Sequence, residues 1–129
     1  MKPTYLEYQS LLQKIADIKY ASAVLQWDQE TYLPPKGAAF RGRQLATLSE
    51  IAHEQFTDEK TGHLLQDLLA QNKLSDEERR NVELSYEDYQ KATKLPVTFV
   101  RKLSEAVNAS FHAWVKAKKQ SDFKIFQQP

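Results

Sequence analysis

The segment Pro96–Gln120 constrains the fold more than any other stretch. In it Val100, Leu103, Val107, Phe111 and Trp114 recur at spacings of three, four, four and three. Side chains at those intervals lie on one face of an α-helix, whereas a strand would alternate every second residue. Pro96 fits the first turn of such a helix, where its missing N–H costs nothing, and Lys116, Lys118 and Lys119 sit where positive charge favours a helix end. Only 3 Gly and 5 Pro occur in 129 residues, too few turn formers for an all-β fold. A single helix cannot bury its own apolar face, so the chain must supply others to pack on it.

Four more helical patterns supply them. Thr4 and Glu7 form a capping box ahead of Tyr8, Leu11, Ile15, Ile18 and Leu25, which predicts a helix over 4–26. Leu45, Leu48, Ala52 and Phe56, with Ile51 beside them, predict one over 36–56, and Gly37 and Gly42 near its start suit a close approach to the first helix. Thr57 is placed to cap a third over 58–71, with Leu64, Leu65, Leu68 and Leu69 inward. Ser75 and Glu78 make a second capping box before a fourth over 76–93, whose inner stripe is Val82, Tyr86 and Tyr89; Asp76 to Arg80 are expected in solvent. The fifth is the helix over 97–120. Ser121-Asp122 looks like the cap of a sixth, with Phe123 to Pro129 following. The expectation is an all-α bundle of about five amphipathic helices in one region, 1–129, cut before any catalytic domain.

Between the first two helices lies Trp27 to Pro35, which Pro34 and Pro35 mark as a connector. It carries an indole, two carboxylates and a tyrosine instead of small polar residues. Asp28 or Glu30 is expected to pair with Arg41, and Trp27 to anchor the connector against both helices. As a buried anchor, Trp27→Ala would cost ~3–5 kcal/mol.

Complete catalytic constellations are missing from the sequence. The net charge of +1 gives no basic field for nucleic acid, and no apolar run reaches the ~18 residues of a membrane span. Cysteine is absent, so disulfide and thiolate chemistry are excluded. His53-Glu54 begins an H-E-x-x-H zinc motif, but Thr57 stands where the second histidine belongs. His63 and His112 have no suitably spaced co-ligand, and all three read as ordinary surface or half-buried histidines. Asp28 and Glu30 are the one carboxylate pair in an unusual setting; an acid/base pair would need a second wall. Tyr86, Tyr89, Phe111 and Trp114 would line a ligand groove or, more simply, pack a core. Catalytic, cofactor-binding and metal-ligating residues are therefore assigned to none.

The connector does resemble something known. Val24-Leu25-Gln26-Trp27-Asp28-Gln29-Glu30-Thr31, Pro34-Pro35, Gly37-Ala38, Arg41 and Gln44-Leu45-Ala46-Thr47-Leu48-Ser49 resemble the N-terminal region of the thermostable (Taq-type) zinc metallocarboxypeptidases. The likeness spans nearly the whole chain but only about the first quarter of a family member. It implies a helical hydrolase that removes C-terminal amino acids from peptides, with zinc in the full-length parent and none in this segment. This segment would wall or cap the substrate cleft and be inactive alone. Cytoplasmic location, a peptide substrate, and neither nucleic-acid nor membrane partners go with that reading. The segment should expose a large apolar face, able to drive a homodimer in isolation. The alternative is a free-standing helical interaction module with a polar exterior.

Overall fold

A computed structural model describes residues 3–129; Met1 and Lys2, at the start of the expected 1–129 region, lie outside the described residues. The described residues form α1 (Tyr5–Thr31), a 3-10 turn (Pro35–Gly37), α2 (Ala38–Thr57), α3 (Glu59–Leu69), α4 (Asp76–Ala92), α5 (Val97–Gln120) and the short α6 (Lys124–Gln127), with no strand among them. The all-α expectation holds.

α1 is longer than expected. It runs to Thr31, so Trp27 to Thr31 are helical rather than part of a connector. A proline at position 34 withholds its own N–H and restrains Leu33, but it does not forbid helix four residues earlier. The helix closes on the Asp28 carbonyl, which accepts from the backbone N–H of Tyr32 at 2.9 Å and of Leu33 at 3.0 Å. The true link is Tyr32–Pro34 and the 3-10 turn.

Two packing units share α1. Its first half carries Tyr8 into a core with Leu65, Leu68 and Val82, flanked by Tyr5, Leu12, Leu64, Leu69, Leu74, Tyr86 and Tyr89. The Tyr8 hydroxyl donates to the Asn81 carbonyl at 3.1 Å and shares a 2.6 Å hydrogen bond with Ser85 Oγ. Its second half lies against α2, which also packs on α5. Because α2 is covered from both sides, Ala46 is buried along with Leu45 and Ala52, while Ile51 remains exposed.

Helix ends explain further departures. Thr57 does not cap α3: its hydroxyl donates back to the His53 carbonyl at 2.7 Å. Asp58 is the cap, accepting from Lys60 N–H at 2.8 Å. Arg79, expected in solvent, is half-buried and donates to the Leu69 carbonyl at 3.0 Å and to the Gln71 carbonyl, closing the end of α3. The glycines also serve other contacts than expected. A Cβ on Gly42 would collide with Asn108 Nδ2, so the close approach is between α2 and α5, not α1 and α2. Gly37 faces Leu33 within its own loop.

Candidate functional site

The end of the bundle where α1, α2 and α5 meet holds the residues singled out above. Arg41, on the first turn of α2, reaches back to α1. Its Nη1 donates to Asp28 Oδ2 at 2.9 Å and to the Leu25 carbonyl at 2.7 Å, while Nε donates to Gln44 Oε1 at 3.0 Å. The Arg41 side chain is 13% exposed and that of Asp28 38%. The guanidinium therefore clamps α1 to α2 through one carboxylate and one main-chain oxygen.

Glu30 is not part of this clamp. It lies two residues beyond Asp28 on the same helix, so the two carboxylates point roughly 200° apart. Glu30 lines a cleft of about 380 Å³ between α1 and α5, floored by Leu45, Val100 and Phe111. It also borders a second space of about 480 Å³ beside Pro34, Pro35 and His112. The acid/base pairing of Asp28 with Glu30 is thus ruled out by helix geometry.

Trp27 is not an anchor. It is 57% exposed and meets Tyr32 edge-on with ring centroids 5.6 Å apart. Extending α1 through residue 31 turns Trp27 onto the outward face with Tyr20 and Val24, at spacings of three and four. Phe111 and Trp114 stack at 6.5 Å, and Lys118 Nζ sits 4.9 Å from the Trp114 ring. Tyr86 and Tyr89 belong to the other core, as the packing reading had it.

The histidines do not converge. His53 Nε2 donates to the Leu95 carbonyl at 2.8 Å, tying α2 to the α4–α5 link, and His63 is exposed. His112 Nε2 is buried without a hydrogen-bond partner, as are Gln29 Oε1 and Asn108 Oδ1 around the same clefts. Among the described residues no three His, Asp or Glu side chains could hold a metal ion together. The donor set does not fit a catalytic metal: His53 spends its nitrogen on a carbonyl, and Thr57, one turn on, is bonded to the main chain.

Sequence reasoning missed Arg101. Its guanidinium contacts Glu50 at 2.7 Å and Glu105 at 3.1 Å, bridging α5 to α2, and those carboxylates push its pKa further above the ordinary value. The Arg101–Glu105 spacing of four was the available signal; the link to Glu50 needed the fold.

With this geometry in hand, comparison with known proteins is decisive. The profile of the carboxypeptidase Taq (M32) metallopeptidases matches residues 7–129. The chain belongs to the M32 carboxypeptidase family. Thermostable carboxypeptidase 1 of Thermus thermophilus is 31% identical over 126 residues, an alignment covering 92% of this chain and 24% of that protein. Among solved structures, that of a protein designated CHT is 51% identical with a TM-score of 0.71. The crystal structure of BsuCP is 27% identical with a TM-score of 0.88. Each structural match covers 95% of this chain and 25% of the other. The chain spans about a quarter of the length of these M32 relatives, and the metal that a metallopeptidase family implies finds no ligand set among its described residues.

Proposed function

We propose that these helices form the N-terminal wall of a zinc-dependent M32 carboxypeptidase, which releases C-terminal amino acids from peptides. The observation that carries the proposal is the family match along residues 7–129 combined with coverage of only about a quarter of the relatives. In this reading the wall's contribution is shape. The Asp28–Arg41 clamp holds α1 and α2 at a set angle, and the Arg101–Glu50 bridge holds α2 to α5. The rest of the enzyme supplies zinc and the general base, the former to polarise the scissile carbonyl and activate water. The isolated chain is inactive. A cytoplasmic setting and a peptide substrate belong to the same proposal.

The test is a chimera. This chain replaces the matched quarter of the Thermus thermophilus thermostable carboxypeptidase 1, and release of a C-terminal residue is followed with zinc present. The chimera should hydrolyse the peptide and the isolated chain should not. Hydrolysis by the isolated chain, or a folded but inert chimera, would refute the assignment.

A further inference from the structure

α5 is more apolar than its packing within this chain requires. Val100, Ser104, Asn108, Phe111 and His112 are half-buried along the side that meets α2. Beside them, Phe99, Leu103, Val107 and Trp114 are 45%, 51%, 59% and 46% exposed. At about 100° per residue these four fall within about 80° of one another, and no charged residue of α5 lies in that sector. A stripe of four large apolar side chains along about four turns, open to water, is the pattern of a face built to be covered. With Val100 and Phe111 beside it, the apolar sector spans about 120° of the helix, and within this chain α2 covers only one edge of it.

The chain's path says what would cover it. Ser121 adopts a left-handed conformation, φ 52°, which reverses the chain so that α6 returns along α5 and buries Ala117. Ser110, in the same sector as the stripe, donates from Oγ to the Pro129 carbonyl at 3.4 Å. Polypeptide continuing past Pro129 would leave from the edge of the stripe, and the M32 relatives carry about three times more chain than the matched quarter. We infer that the stripe of Phe99, Leu103, Val107 and Trp114 is the seat of the remaining M32 polypeptide, and that α5 is the buried helix joining this wall to the catalytic body. The inference rests on the proposed function but names a face which that reading leaves open, because the outward face of α1 (Tyr20, Val24 and Trp27) is exposed as well.

The chain lacks cysteine, so single thiols report on each face. Leu103→Cys and Val24→Cys are made in the isolated chain and in the chimera, and maleimide labelling rates are measured. Both thiols should react freely in the isolated chain. In the chimera Leu103→Cys should slow by about 100-fold or more, as for a site reached only through opening of the structure, with Val24→Cys unchanged. Equal protection of both, or a Leu103 thiol in the folded chimera as reactive as in the free chain, overturns the inference. A protected Leu103 thiol in an inert chimera upholds this docking face and defeats the carboxypeptidase reading instead. If the chimera does not fold, the isolated chain decides through Val107→Glu and its sedimentation behaviour. An unchanged melting temperature, with any self-association of the chain weakened, fits a face held in reserve for a partner body. Cooperative unfolding lost on that substitution overturns it.

Discussion

Arg41→Ala is the substitution whose cost the structure defines most directly. The guanidinium makes three hydrogen bonds, to Asp28, the Leu25 carbonyl and Gln44, from a side chain 13% exposed. Removing one partner of a fully buried ion pair costs about 3–5 kcal/mol, chiefly because the other charge is stranded. Asp28 is 38% exposed and can turn to water, so its part is discounted toward the ~1 kcal/mol of a surface pair. The Leu25 carbonyl loses a charge-assisted bond worth about 1.5 kcal/mol or slightly more, and Gln44 is exposed enough to recover in solvent. The sum is about 2–3 kcal/mol, or a fall of roughly 8–12 °C in melting temperature for a domain of this size. Asp28→Asn should cost only about 1 kcal/mol, since Arg41 keeps the carbonyl and an amide oxygen replaces the carboxylate. Urea denaturation of the wild type and both variants measures this at two salt concentrations. The order Arg41→Ala above Asp28→Asn should survive high salt, because the main-chain bond is not an ion pair. Equal costs for the two variants, both vanishing in salt, would refute the clamp.

The other predictions concern different links of the same chain. Gly62→Ala should destabilise by about 1–2 kcal/mol despite alanine's better helix propensity, since its Cβ would meet Tyr89 Oη at 2.5 Å and the ring cannot retreat between Phe56 and Tyr86; in a Tyr89→Leu background the same change should become neutral or stabilising by urea titration. Burial raises the Tyr8 pKa above its ordinary 10.0, only partly offset by the Ser85 hydrogen bond, with Tyr5 adding to the rise. The folded state thus holds the phenolic proton more tightly, so this contribution is intact below pH 10 and lost as pH climbs through the folded value; Tyr8→Phe should flatten that alkaline decline in thermal melts. Ser121→Gly should stabilise by up to about 1 kcal/mol, since serine pays for its left-handed backbone there, φ 52°. Trp27→Ala should cost no more than about 1 kcal/mol, well below a core aromatic, because the ring is 57% exposed.

Most of the helical framework was readable because its signals are local. The capping boxes at Thr4–Glu7 and Ser75–Glu78 form as their sequences require, with Glu7 N–H to Thr4 Oγ1 at 3.3 Å and Glu78 N–H to Ser75 Oγ at 3.2 Å. The end of α1 is less legible, because a proline breaks a helix only locally: Pro34 restrains Leu33, and nothing in Trp27-Asp28-Gln29-Glu30-Thr31 opposes a helix. Trp27 accordingly lies on an exposed helix face and not in a buried turn. The Asp28–Arg41 pairing was visible as two opposite charges flanking a short link, whereas the third partner, the Leu25 carbonyl, is main chain and leaves no mark in a sequence. Gly42 announced a close approach, but which helix approaches depends on topology, and the answer was α5.

The two ends of α1 differ in a way that bears on what the chain is for. At the Tyr8 end the buried hydroxyl has both its partners over a core of Leu65, Leu68 and Val82, although a space of about 670 Å³ opens beside it along Leu12, Ile15 and Ser85. At the Asp28 end, Gln29, Asn108 and His112 each bury a polar atom with no partner, two clefts stay open, and α5 leaves four large apolar side chains in water. A buried polar atom without a partner costs about 1–3 kcal/mol, so a docked body that met these three atoms would gain roughly that much at each. Three of the four such atoms among the described residues lie at this joint between α1, α2 and α5, Gln55 Oε1 being the exception. If a docked catalytic body completes that joint, amide exchange around Gln29 and Asn108 should slow in the chimera while exchange around Tyr8 is unchanged. Uniform slowing across both ends would mean that the body merely stabilises the whole wall, and the joint would lose its special status.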